Sequence, residues 1–365
     1  MDNFFIGREI QSGNVTYRII ARIGCWGPDF EYPVYTAECT VNTIGVPNKA
    51  IKIAAGGQPI WENVNHDINE MMDCLFHPGI ATTLLLFDEH FFINFDDVQY
   101  ICIVFALQQH ISLRSLMLVD QRFTHGFTIP QIRRAASNMV RAIMDLHHFD
   151  LNHTQLTAGH IVCSPEYIKV AATCTAFEVD WHAAFFANHF LPINRISDRG
   201  RAPEFVDEEA QLPHEVEAAL ADQPPQELEE AAAAEDIEDQ PNFWYQYHAK
   251  RRDVWSIGLV ALELGYGRIS VLNRNQFLRV VNYIEQLGIL PETWEQLLQN
   301  AEAEMPIHGL AGRFTNEYVH FVRTCLRISP YARPDTLGLL NDDFLGPVGM
   351  LSEEDFRLLV FPQNH

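Results

Sequence analysis

The stretch "LHHFDLNHTQLTAGHIVCS", residues 146–164, decides how this chain is read. A helical segment ends in Leu146-His147, a short turn follows, His153 stands alone, and an apolar run continues as a strand. That is the cadence of a catalytic loop. Where such a loop would carry an acid or a base, it holds Thr154, Gln155 and Thr157. Gln155 is neutral and accepts no proton at a useful pH.

Upstream, "TIPQIRRAASNMVRAIMDLHHF" begins with a Thr cap and places Ile132, Ala136, Met139, Val140 and Ile143 on one face, which predicts an amphipathic helix. Further back the pattern changes. "VTYRIIARIG", "PVYTAECTV", "NKAIKIAA" and "VQYICIVFAL" are short runs of β-branched and aromatic residues broken by Gly, Pro and Asn, and they read as strands. One helix is expected among them, near "WENVNHDINEMMDCLF", with Ile68, Met71, Met72 and Leu75 at helical spacing. Downstream, "DVWSIGLVALELGYG" is apolar nearly all round and reads as a central buried helix closed by Gly. "FTNEYVHFVRTCLRISP" reads as another helix. "MLSEEDFRLLVF" is either a helix packed on the helical region or a docking tail.

The chain has 365 residues, 47% of them hydrophobic and 20% charged, the profile of a soluble globular protein. No apolar run is long enough to span a bilayer, and the N-terminus lacks the order of a signal peptide. Seven scattered Cys form no Cys-x-x-Cys pair and read as reduced, mostly buried thiols, so a cytoplasmic or nuclear location is expected. The net charge is −23, and residues 206–240 supply thirteen Asp or Glu with no Lys or Arg. This balance argues against nucleic acid and anionic membrane as partners. Residues 206–242, rich in Glu, Ala and Pro, read as a disordered or partly helical insertion, either a solvated spacer or an acidic docking arm. The many His near the loop form no zinc pattern, and no metal is expected. Cys163 and Cys174 have nothing cationic placed to activate them. Ser197 among Arg195, Arg199 and Arg201 is either a phosphorylation switch or part of a solvated loop.

Seven segments resemble the markers of protein kinases, in the kinase order from Ala21 to Pro334: "ARIGCWG", "KAIK", "HPGI", "LHHFDLNH", "RAPE", "RDVWSIG" and "SPYARP". The resemblance implies an α+β, bilobal protein kinase-like fold with a small β-rich N-lobe and a larger helical C-lobe. The expected organisation is an N-terminal extension over 1–15, an N-lobe over 16–106, a C-lobe over 107–345 holding the acidic insertion, and a tail over 346–365. It further implies scaffold roles: His153 at the head of the loop, Asp253 accepting hydrogen bonds from the loop backbone, and Glu204 paired with Arg333. Ile23, Gly24, Lys52, Ala106 and Leu107 would be the nucleotide-binding positions.

Phosphoryl transfer needs a catalytic Asp and, for magnesium, an Asn and a second Asp. On the family's HRDLKxxNIL pattern, Gln155 takes the catalytic Asp and His160 the metal-binding Asn. Ala172 takes the Asp of the following Asp-Phe-Gly. His160 is a poor ligand for an ion that prefers oxygen, and Ala172 offers no ligand atom. The base and both metal ligands are replaced together, so no catalytic residue is assigned and an inactive kinase fold is expected. The loop after Gly24 is also bulky, with Trp26, Pro28 and Phe30, and unsuited to lie close over phosphates. Lys52 either contacts nucleotide or pairs with an acid.

"TAGHIV", "HHFDLNH" and the long glycine loop resemble the sterile-20-related adaptor (STRAD) pseudokinases. This implies an allosteric adaptor that binds and activates a partner Ser/Thr kinase of the liver kinase B type, assisted by a helical-repeat scaffold of the calcium-binding-protein-39 type. It also implies ATP binding without magnesium. A passive kinase-fold scaffold without nucleotide and an atypical low-activity Ser/Thr kinase are the alternatives.

Overall fold

The computed structural model describes residues 4–26, 32–56, 68, 80–106, 111–153, 156–171, 178–179, 240–267, 269, 274–287, 290–303 and 313–361. The strands are β1 (Glu9–Ser12), β2 (Val15–Trp26), β3 (Tyr32–Val41), β4 (Ile44–Ala55), β5 (Leu84–Leu85), β6 (Glu89–Phe95), β7 (Val98–Ala106), β8 (Ile111–Ser112), β9 (Ile161–Cys163), β10 (Ile168–Ala171) and β11 (Glu178–Val179). The helices are α1 (Ile80–Thr83), α2 (Leu113–Val119), α3 (Ile129–His148), α4 (Gln240–Tyr266), α5 (Arg274–Leu287), α6 (Trp294–Ala303), α7 (Asn316–Cys325), α8 (Thr336–Leu340) and α9 (Glu353–Val360). The chain is therefore mixed α/β, with a β-rich N-terminal sheet and a helical C-terminal region.

Two compact units divide the chain. One comprises Met1–Val119, Gly159–His189 and Arg357–His365, the other Asp120–Ala158 and Phe190–Phe356. This division differs from the lobes expected at 16–106 and 107–345. Helix α2 and strands β8 to β10 belong with the first unit because β5, β10, β9 and β8 form a four-stranded sheet of their own.

In the first unit the main sheet runs β1-β2-β3-β4-β7-β6, with β11 also paired to β2. Two-residue turns at Asn42-Thr43 and Asp96-Asp97, all with positive φ, join β3 to β4 and β6 to β7. That turn geometry matches the right-handed twist of the flanking strands. The sheet coils until its two edges meet. Ser12 Oγ of β1 donates to Glu89 Oε2 of β6 at 3.2 Å, and the Tyr17 hydroxyl donates to the other oxygen of Glu89. Burial first, and this carboxylate second, hold the Tyr17 hydroxyl well above the usual tyrosine range.

The sheet face made by Tyr17, Ile19, Tyr35, Ala37, Ile51, Ile53, Cys102 and Val104 forms a buried apolar core. Phe5 is sealed into it, edge-on to Tyr35, Phe95 and Tyr100. Arg8 lies over the rings of Phe4 and Phe95. Within the expected extension over 1–15, the described residues supply an edge strand, β1, and the Phe5 plug. The helix expected near residues 61–76 lies outside the described residues except for Ile68, which is fully buried.

In the second unit α3 begins as its sequence implies. Gln131 Oε1 accepts from the Thr128 backbone N–H at 2.8 Å, closing the first turn. Its apolar stripe, Ile132, Ala136, Met139, Val140 and Ile143, is buried, and α3 packs on α4 and α8. Helix α4 is the spine. From Val254 to Leu264 nearly every side chain is buried, and Gly267 ends the helix with φ of +78°. It starts at Gln240, well before the apolar run, with Pro241 in its first turn. The acidic stretch ahead of it, with Glu204, lies outside the described residues. Helix α7 packs on α4, and its cap Thr315 accepts from the Tyr318 N–H at 3.3 Å. The tail residues fold as α9, with Phe356 buried and stacked 6.2 Å from Phe127, so this segment is packed rather than free.

Candidate functional site

The lysine of "KAIK" sits in the middle of the main sheet. In the ladders Gly24 is opposite Val34, Val34 opposite Lys52, and Lys52 opposite Ile103. Directly opposed residues project to the same face, so these four form one row across β2, β3, β4 and β7. Ala50 and Phe105 are opposite each other one pleat away, on the same face. The other face is the core already described, because Ile51 and Ile53 flank Lys52 on the opposite side.

Lys52 is fully buried, as are Val34, Ala50 and Ile103. Burying an ammonium is costly unless it is compensated. Part of the compensation is the Phe105 ring, whose centroid lies 5.8 Å from Lys52 Nζ. Ile23 falls at the bulge between Arg22 and Gly24, where the β2–β3 register slips, and it is half-buried. Ala106 ends β7 opposite Lys49, on the core-facing side of the sheet rather than the Lys52 side. Leu107 lies outside the described residues.

In the second unit the head of the loop is tied to α4. Asp253, fully buried, accepts from the His153 backbone N–H at 2.8 Å, and His147 Nε2 lies 3.0 Å from the same carboxylate oxygen. Two further contacts flank it: Asn152 Nδ2 donates to Gln246 Oε1 at 2.7 Å, and Lys250 Nζ to Asp150 Oδ1 at 2.7 Å. Gln246, Lys250 and Asp253 are spaced by four and three residues, hence on one face of α4. The turn they grip contains Asp150 with φ of +57°, a conformation that Asp tolerates better than most residues. The same helix anchors Arg333, which is also buried. Its guanidinium donates to the carbonyls of Arg327 (2.7 Å), Ile328 (2.9 Å) and Arg251 (3.3 Å) and lies 4.9 Å from the Trp255 ring centroid.

Of the three positions expected to be degenerate, Gln155 and Ala172 lie outside the described residues. His160 is half-buried and ends a short 3-10 turn, Ala158–His160, that leads straight into β9. Sequence reasoning missed three features: Phe105 on the lysine's face, the grip of Gln246 and Lys250 on the turn, and β11. The grip had a readable signal, the helical spacing of Gln246, Lys250 and Asp253. The other two depend on pairings between distant segments.

No protein family model matches the chain. A search of curated proteins finds a mitogen-activated protein kinase kinase 2 from Arabidopsis thaliana, 30% identical over 101 residues. The match covers 27% of this chain and 24% of the relative, so the chain spans about a quarter of that relative's length. The likeness is to a protein kinase. It fits the order of elements found here, a β-rich N-terminal sheet followed by a helical region. Among the described residues no helix is long and apolar enough to cross a membrane. No group of three or more His, Cys, Asp or Glu among them is placed to hold a metal ion.

Proposed function

We propose that this chain is a bilobal pseudokinase: a catalytically inactive kinase-fold adaptor that binds and allosterically activates a partner Ser/Thr kinase, in the manner of the STRAD proteins its loop resembles. The observation that carries the reading is a contrast within one stretch. Asp253 holds the loop at His147 and His153 through buried hydrogen bonds, while Gln155, His160 and Ala172 stand where the base and the metal ligands would be. Three replacements at once remove both the proton acceptor and the magnesium site, and a neighbour does not restore all of them.

An adaptor acts by shape. It biases its partner toward the active state by binding that state more tightly, and this differential affinity is the whole of the coupling. The Lys52 face supports magnesium-independent ATP binding as a conformational ligand, with Lys52 as the counter-charge for the phosphates. The partner kinase would be of the liver kinase B type, with a helical-repeat scaffold of the calcium-binding-protein-39 type as a third component. The net charge of −23 fits protein partners rather than nucleic acid.

The test is thermal stability with ATP, with and without magnesium, alongside release of labelled phosphate. Stabilisation by ATP alone with no turnover is the expected result. Phosphate release that disappears in Lys52→Ala would sink the reading. Co-purification that returns no kinase would end the adaptor assignment.

A further inference from the structure

Strand β2 has two edges, and β3 occupies one of them along the strand. The other edge is closed by two segments far apart in sequence. Along Val15–Arg18 the cover is β1. Beside it, Gly7 N–H donates to Ile19 O at 2.8 Å and Ile19 N–H to Arg8 O at 2.9 Å. Further along, at Gly24 and Cys25, the cover is β11, with Val179 opposite Gly24 and Glu178 opposite Cys25 in antiparallel register. Since β3 already holds Val34 and Pro33 against these same two residues, β11 takes the outer edge.

Gly24 is the end of the row that contains Lys52. An uncovered edge at a glycine offers free backbone N–H groups with no side chain in the way, which is what a phosphate would use. Pairing with β11 uses the backbone groups that face outward there. Successive residues of a strand aim their N–H groups at opposite edges, so one of Gly24 and Cys25 serves β11. The two residues of β11 follow closely on Ala172, the degenerate metal-ligand position. The geometry points to β11 as a strand latch: it closes the Gly24 edge of β2 against the phosphates of a nucleoside triphosphate, so that nucleotide binding and latch closure compete. This rests on the reading of the Lys52 face as a nucleotide site.

If the latch is closed most of the time, apparent nucleotide affinity falls by the open fraction. Opening it therefore raises affinity, and by reciprocity ATP favours the open latch. The experiment uses the full chain and the double variant Glu178→Pro/Val179→Pro, which removes both backbone donors of β11. Val179→Thr, which keeps its donor, is the control. Amide exchange at Gly24, Cys25 and His153 is measured with ATP affinity by calorimetry in the absence of magnesium.

The expected result in the proline variant is exchange at one of Gly24 and Cys25 faster by about tenfold and an ATP Kd lower by about tenfold. Exchange at His153 stays unchanged, which shows that the second unit is intact, and Val179→Thr behaves as wild type. Unchanged exchange at both Gly24 and Cys25 overturns the latch. So does faster exchange with the same ATP affinity, or with no binding in either protein. Release of phosphate from ATP by either protein overturns the inactive-kinase reading instead and leaves the latch standing.

Discussion

Replacing Asp253 tests the node that holds the loop. Its Oδ2 serves two buried donors, the His153 N–H at 2.8 Å and His147 Nε2 at 3.0 Å. A carboxylate only accepts, so the His147 proton on this side sits on Nε2. Asp253→Ala leaves both donors without that acceptor in a place water does not reach. Each buried donor stranded this way costs about 1–3 kcal/mol, so the pair costs about 4 kcal/mol. At about 2–4 °C per kcal/mol for a unit of this size, Tm falls by roughly 10 °C. Asp253→Asn is the informative contrast. Its single oxygen, standing where Oδ2 stands, still accepts from both the His153 N–H and His147 Nε2, and only the charge on the acceptor is lost. The loss is then about half as large. Thermal unfolding by circular dichroism measures both, and exchange of the His153 amide reports the node itself. A fall in Tm under about 3 °C for Asp253→Ala, or equal losses for Ala and Asn, refutes the account.

Gly265→Ala brings a methyl carbon within 2.3 Å of the Tyr318 hydroxyl, which is buried and donates to Ala261 O at 2.7 Å. The ring must move and that bond is lost, a destabilisation of about 2–4 kcal/mol in urea unfolding; the same change at Gly45, which has open space around it, is neutral. Phe5→Ala empties the aromatic plug of the first unit and costs about 3–5 kcal/mol, read as faster amide exchange through β1 to β4 with His153 unaffected. If Phe5→Ala behaves like a change in a free extension, β1 is not part of the core.

How much of this was legible in the sequence follows from where the signal resides. Strands β2, β3, β4 and β7 announce themselves through β-branched and aromatic runs, and α3 through its stripe and its Thr128 cap. Strand β6, "EHFFINF", places Phe91 and Phe92 side by side, which blurs the alternation, and it lies at a sheet edge where one side is half exposed. Strand β1, "EIQS", has a single apolar residue; only its pairing with Arg18 to Val15, and Glu89 reaching across to Ser12, make it a strand. The start of α4 was hidden because its first turns are polar and aromatic rather than periodic, with Pro241 as the one usable cue.

The candidate site divides in the same way. Residue types carried the expectation about chemistry: Gln155, His160 and Ala172 differ from the Asp, Asn and Asp of the kinase pattern, and that difference is read without coordinates. Residue positions carried the rest, and local sequence does not encode them. That Phe105 shares a face with Lys52 depends on the register between β4 and β7, where a slip of one residue would turn the ring to the opposite side. The same is true of β11, whose two residues have no strand signature and acquire a role only through their partners Gly24 and Cys25. Residue identity is a local property. What the retained shape does with a ligand is a property of distant pairings, which is why the proline variant of β11, rather than any change in the loop itself, separates an open nucleotide site from a latched one.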